Sequence, residues 1–256
     1  MDRSSVECNT SVTKQSLGSK QRRVKLVTPY SRINIPDAEI RLGTSLSLVG
    51  IPISEMIKDK DVLLGKELIL KVKHKVYVRL VDFLKVSGYP SEANPDFREA
   101  HINDLVAFTL YPILACIKDK TTRSLYLTRE KEITSMDSQV SGKEEFVVMD
   151  WVSVGERKYV AIVEAKKSSL GEARKQCFLA MRDSWDYNGG GTIYGFITMG
   201  DSWRMVSYDG KFTISEKIEL IFDSMAIDKA RWMLHYSILI DCLNVAFSNG
   251  AKRPNA

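Results

Sequence analysis

Residues 145–167 read EFVVMDWVSVGERKYVAIVEAKK, two apolar runs around a polar turn. The runs, 146–154 and 159–163, flank Gly155-Glu156-Arg157-Lys158, a pattern that predicts a strand, a tight turn and a second strand. With the chain folding back at 156–157, Asp150 falls opposite Ile162 to Glu164. Charge appears abruptly at the end of the second strand. Alternation along a strand puts Glu164 and Lys166 on one face and Ala165 on the other. Two acids and a lysine are therefore expected to converge at one edge of a mostly buried sheet.

Two carboxylates a few ångströms apart repel, and each is costly to take out of water. A divalent cation relieves both problems, since Mg²⁺ is typically held by one or two carboxylates plus waters and phosphate oxygens. A neighbouring lysine can orient a bound water or stabilise charge building on a phosphate. An acid, a turn and then acid-x-Lys thus suits phosphodiester cleavage. The plainer alternative is a surface ion pair at a strand end.

The elements that follow sharpen the pattern. Ser169 and Glu172 form a capping-box signature for a helix expected to run to about Tyr187 and to stop at Asn188-Gly189-Gly190-Gly191. Gln176 lies two turns into it, between Glu172 and Ala180 on the helix surface. Strands are expected at 125–133, 192–199 and 203–208.

This arrangement resembles the PD-(D/E)XK nuclease superfamily, the restriction-endonuclease-like fold. The set Asp150…Glu164-Ala165-Lys166 is similar to its metal-binding core, and the helix carrying Gln176 resembles the recombination-exonuclease branch. EEFVVMD, VEAKKSSLGEARKQCFLAM, NGGGTIYGFITMGDSWRMVSYDG and RWMLHYSILIDCLNVAFSNG resemble a group of fungal proteins carrying this domain, over roughly residues 94–250. The resemblance implies an α/β core: helix, three-stranded antiparallel meander, helix, strand. It implies Mg²⁺ or Mn²⁺ as cofactor, Asp150 and Glu164 as ligands, Lys166 positioning the attacking water, and Gln176 orienting that water or the lysine. No proline precedes the first acid. Glu145, on the same strand but of opposite parity to Asp150, competes for that role; Asp150 is preferred because its separation from Glu164 suits a short hairpin.

Composition bounds this reading. A chain of 256 residues with 44% apolar content suits one large domain or one domain with an extension. No uninterrupted apolar run is long enough to span a bilayer, and no membrane partner is expected. The N-terminus has no apolar signal region. Cys8, Cys116, Cys177 and Cys242 are far apart and form no Cys-x-x-Cys pair, which points to a reduced intracellular chain without a zinc motif. His74, His101 and His235 are scattered and read as structural.

The charge is unevenly placed. Residues 1–34 hold seven cations against two acids, which accounts for the whole net charge of +5 and leaves the rest neutral. The leader, 1–40, is polar without apolar periodicity and is expected to be disordered. Its run Lys20-Gln21-Arg22-Arg23-Val24-Lys25 suits contact with nucleic-acid phosphates or a nuclear-import address, with Lys20, Arg22, Arg23 and Lys25 as the binding residues.

A helical extension is expected over 41–93, its stripe running Leu64, Leu68, Val72, Val76, Leu80 and Leu84. Residues 97–118 form a further apolar helix that Pro112 is expected to bend or restart. Glu99 or Asp104 on it is a candidate extra acid; Glu130 and Glu132 are weighed as well, with strand-edge salt bridging the simpler reading. Helices are expected at 218–225 and 228–248, ahead of a tail at 251–256. Trp151, Trp185, Tyr187, Trp203 and Tyr208 read first as core filling and second as stacking surfaces for bases. The function implied is a metal-dependent nuclease acting on nucleic acid, DNA before RNA. The alternative, favoured by the neutral domain, is a non-catalytic nuclease-fold module that binds nucleic acid or protein.

Overall fold

The computed structural model describes residues 27–90 and 96–251. Its centre is the hairpin. Strand β3 (Val140–Ser153) turns at Val154–Gly155 into β4 (Glu156–Ala165). Gly155 adopts φ +86°, the left-handed conformation a tight hairpin turn needs and a side chain resists. Strand β2 (Leu125–Thr134) pairs antiparallel with the other side of β3. Helix α5 (Leu170–Asn188) then carries the chain over one sheet face to β5 (Ile193–Thr198), which lies parallel to β4. Strands β6 (Ser202–Tyr208) and β7 (Phe212–Ile214) continue the sheet antiparallel. A short parallel strand β1 (Thr28–Pro29) joins the start of β3, and β8 (Ile218–Glu219) pairs with β6. This is a mixed α/β architecture on one mixed sheet.

Two apolar layers enclose the sheet. One face, with Phe146, Val148, Ala161 and Val163, packs under α3 (Lys66–Ser87), α4 (Glu99–Lys120) and α7 (Ile238–Asn249). The other, with Val147, Ile162 and Ile197, packs under α5 and α1 (Ile35–Leu42). Among the described residues α4 is the one helix long and apolar enough to cross a membrane by length and composition, and more than half of its apolar window is buried inside the protein. Pro112 neither ends nor restarts it: the helix runs through Pro112 with that residue buried. Ser169 caps α5 by accepting from the Glu172 N–H at 3.2 Å, and Gly189 at φ +68° ends it.

Three expectations change. The leader is folded from Thr28 onward: Tyr30 is buried and donates to Asp183 at 2.5 Å, and α1 packs on α5. Disorder through residue 40 is therefore corrected, while Lys20, Arg22, Arg23 and Lys25 lie outside the described residues. The helix expected at 218–225 is instead strand β8 followed by turns, because Ile218 and Glu219 complete the edge of β6 opposite Trp203 and Ser202. The last helix is interrupted as well, with a π-helical turn at Trp232–Tyr236 before α7.

Candidate active site

The site lies where β4 ends. Glu164 and Ala165 still pair with Ile197 and Thr198 of β5, and the Lys166 N–H donates to the Thr198 carbonyl at 3.0 Å. The lysine side chain thus leaves from a fixed backbone. Its Nζ lies 3.0 Å from Glu164 Oε1, 3.6 Å from Glu145 Oε1 and 3.6 Å from Glu99 Oε1. Three elements supply those acids: β4, β3 and the first residue of α4. The start of α4 is pinned by the Arg98 N–H donating to His101 Nδ1 at 3.1 Å and by Phe97 stacking on the His101 ring. One turn on, Asn103 Nδ2 donates to Glu145 Oε2 at 3.0 Å.

Asp150 is not part of this cluster. The chain turns at Val154–Gly155 rather than at 156–157, so Asp150 pairs with Lys158 and Phe146 with Val163. Lys158 and Glu164 are six positions apart along β4, about 20 Å at strand rise. Asp150 forms an ion pair with Arg123 instead. Glu145 takes the place expected for Asp150. The alternation of β3 slips ahead of Phe146. Phe146 and Val148 face the α3–α4 layer while Val140, also even-numbered, faces the α5 layer. The slip coincides with Glu130, which sits at φ +51° and interrupts the ladder between Arg129↔Phe146 and Lys131↔Glu144.

Glu144 is a member of the site that the sequence pattern alone does not single out. Its side chain is buried, as is that of Glu164, which is 0% exposed. None of their four carboxylate oxygens makes a hydrogen bond of ordinary geometry among the described residues. Burial, and then the neighbouring Glu164 charge, push the Glu144 carboxyl well above its ordinary range. Burial also raises Glu164, against the opposing pull of Lys166. Burial on its own would lower Lys166, but Glu164, Glu99 and Glu145 outweigh it and push the ammonium up to about 12. Lys166 is thus a fixed positive charge at neutral pH. Cys177 on α5 faces the same acids; burial and their charges hold its thiol well above the ordinary range, so it stays protonated and inert. The signal for Glu144 is the doubled acid at 144–145 in a run that turns apolar at once, and for Asn103 its place one turn after Glu99.

The other expected residues divide. Glu99 joins the cluster. Asp104 and Glu132 make no ion pair among the described residues, and Glu130 pairs with Lys143 at 2.5 Å at the strand edge. Gln176 is half-buried on α5 and makes no hydrogen bond to Glu164, Glu145 or Lys166 among the described residues.

Carboxylates gathered around one ammonium suit a hard divalent cation, which takes oxygen ligands and keeps several waters. Glu164 and Glu145 are the pair that Lys166 links, and Glu145 reaches solvent with 20% of its side chain exposed. No group of three or more His, Cys, Asp or Glu stands ready in ligating geometry among the described residues. The sequence matches no protein-family model and no curated protein.

Proposed function

We propose that the chain is a metal-dependent nuclease of the PD-(D/E)XK type, with nucleic acid, DNA before RNA, as its substrate. The observation that carries this reading is Lys166 Nζ bridging Glu164, Glu145 and Glu99 beside the buried Glu144 carboxyl, whose oxygens make no hydrogen bond of ordinary geometry among the described residues. The element order α4, β2–β3–β4 meander, α5 and a parallel β5 supports it, because that is the core the resemblance implies.

In this reading Glu145 and Glu164 would hold Mg²⁺ or Mn²⁺, and Glu99, 3.6 Å from the same Lys166 Nζ, is the next acid on that ammonium. When bound, the cation supplies a polarised phosphate and a more acidic water. Lys166, already charged, holds the phosphate oxygen on which negative charge grows, and needs no proton transfer to do so. Asn103 fixes the Glu145 carboxylate, so that its free oxygen keeps one orientation. Glu144 supports Glu164 from the buried side. Nuclear entry through the basic run at Lys20–Lys25 belongs to the same proposal.

The test is cleavage of single- and double-stranded oligonucleotides in Mg²⁺ or Mn²⁺, stopped by EDTA. Lys166→Ala loses most turnover while retaining calorimetric Mn²⁺ binding; unchanged turnover overturns the mechanism. One observation favours a second reading, a binding module without catalysis: residues 35–256 are neutral overall, and Lys166 is already matched by acids. That reading expects nucleic-acid or protein binding with no metal-dependent cleavage.

A further inference from the structure

A cavity of about 540 Å³ opens at the other end of the hairpin, between the β3–β4 turn, β2 and the C-terminal end of α5. Tyr126, Tyr159 and Tyr187 line it together with Lys131, Arg157 and Lys158. The tyrosines belong to two ring pairs. Tyr126 lies 5.7 Å from the Trp151 ring, and Tyr187 meets Tyr159 edge-on at 5.7 Å. Tyr187 is 66% exposed and Trp151 42%, an unusual degree of exposure for aromatic side chains beside a well-packed sheet. Arg157 stacks its guanidinium 4.0 Å over Trp151, which fixes the plane and leaves its N–H edge free for an anion.

Charge decides the class of ligand. Lys131, Arg157 and Lys158 face one carboxylate, Glu156, which already receives Lys158 at 3.5 Å and the Ser153 hydroxyl at 3.3 Å. Lys131 has no ion-pair partner among the described residues. The domain is otherwise neutral, so this is a local excess of positive charge next to accessible rings. The negative end of α5 works against an anion near Tyr187. Its last side chain is spoken for, however: Asn188 accepts from the Tyr159 N–H at 2.9 Å and donates to the Tyr159 carbonyl at 2.8 Å.

We infer that this cavity binds single-stranded nucleic acid, with a base stacked on Tyr187 or Tyr126 and phosphates on Lys131, Arg157 and Lys158. Alternating rings and cations are what a polymer of bases and phosphates recognises without sequence preference. The inference rests on the proposed function for the identity of the polymer, and the site is separate from the chemistry: Tyr159 and Glu164 are five positions apart along β4, about 17 Å.

The test is fluorescence anisotropy of a short labelled oligothymidylate in EDTA, where no cleavage occurs. Tyr187→Ala weakens binding about tenfold, within the range for loss of one stacked base. Lys131→Glu combined with Arg157→Glu weakens it further and lowers the salt slope by about 0.7 for each phosphate left without its cation. Circular dichroism and thermal midpoints stay at the wild-type values, because these side chains are at the surface. Glu164→Gln leaves anisotropy unchanged while abolishing any metal-dependent cleavage, which separates failure of this site from failure of the nuclease reading. No binding by the wild type, undiminished binding by the variants, or binding to phosphatidylserine vesicles that excludes the oligonucleotide overturns the inference.

Discussion

Arg123 Nε lies 2.8 Å from Asp150 Oδ2, and the same guanidinium donates to the carbonyls of Phe247, Ser248 and Gly250. Asp150 therefore balances an arginine that gathers the C-terminal end of α7. Its loss is expected to act on stability and not on the site. Asp150→Ala leaves Arg123 partly buried without its counter-charge, and a hydrogen bond to a charged group is worth about 1.5–3 kcal/mol. Urea unfolding should register a loss of about 2 kcal/mol, with Mn²⁺ binding intact. Loss of Mn²⁺ binding in a folded Asp150→Ala protein would return Asp150 to the site.

Metal affinity should instead follow Glu145 and Glu164. Isothermal calorimetry with Mn²⁺ is expected to show a drop of at least about tenfold for Glu145→Gln and for Glu164→Gln, since two carboxylates are about the minimum for such a cation. Lys166→Ala should bind Mn²⁺ as well as wild type or better, because removing the ammonium removes a competitor for both acids. Weaker binding in Lys166→Ala would mean that the lysine organises the acids and is not their alternative counter-ion.

The elements are far easier to read from the sequence than their register. The strands at 125–134 and 193–198, the second hairpin strand from 159 onward and helix α5 follow from local signals: apolar runs, a serine cap, a glycine stop. The expected placement of Asp150 fails because one tight turn carries it. Val154 looks like the end of an apolar strand and Gly155 like the start of a longer polar turn, and the resulting slip moves Asp150 opposite Lys158. The Glu145 face is hidden by the left-handed Glu130 on the neighbouring strand, a distortion that residue identity does not announce. Tyr30 sits in a polar leader whose order depends on Asp183, a partner distant in sequence, and no periodicity records such a contact.

Glu144 should make stability depend on pH in a definite sense. Its folded pKa is raised above the ordinary 4.5 by burial and by Glu164, so the protonated form suits the folded state. The stability this contributes is full below about pH 4.5 and is lost as pH rises through the raised folded pKa. Glu144→Gln resembles the protonated acid at every pH. Thermal melts should therefore find the variant more stable than wild type near neutral pH, with the gap closing as pH falls toward 4.5. A gap that widens on acidification would mean that Glu144 is held ionised in the folded protein.

Tyr30 and Gly142 should prove energetically coupled. A Cβ placed on Gly142 would run into the Tyr30 ring and come within 2.8 Å of Glu144 Oε1, so the glycine is required by close approach. Tyr30 in turn fills the space beneath β3 and donates to Asp183, which Arg41 also approaches at 3.6 Å. Tyr30→Phe removes only the hydrogen bond to Asp183 and should cost about 1.5–3 kcal/mol. Tyr30→Ala also empties a buried aromatic site and should cost about 3–5 kcal/mol. Gly142→Ala overpacks the intact site, at a cost of about 1–3 kcal/mol. In the Tyr30→Ala background the ring is gone, so most of the Gly142→Ala penalty should vanish and the double variant should be more stable than the sum of the two single losses. Denaturant unfolding of the four proteins measures this coupling. Simple additivity would show that Gly142 is constrained by something other than the Tyr30 ring, with Glu144 the next group to test.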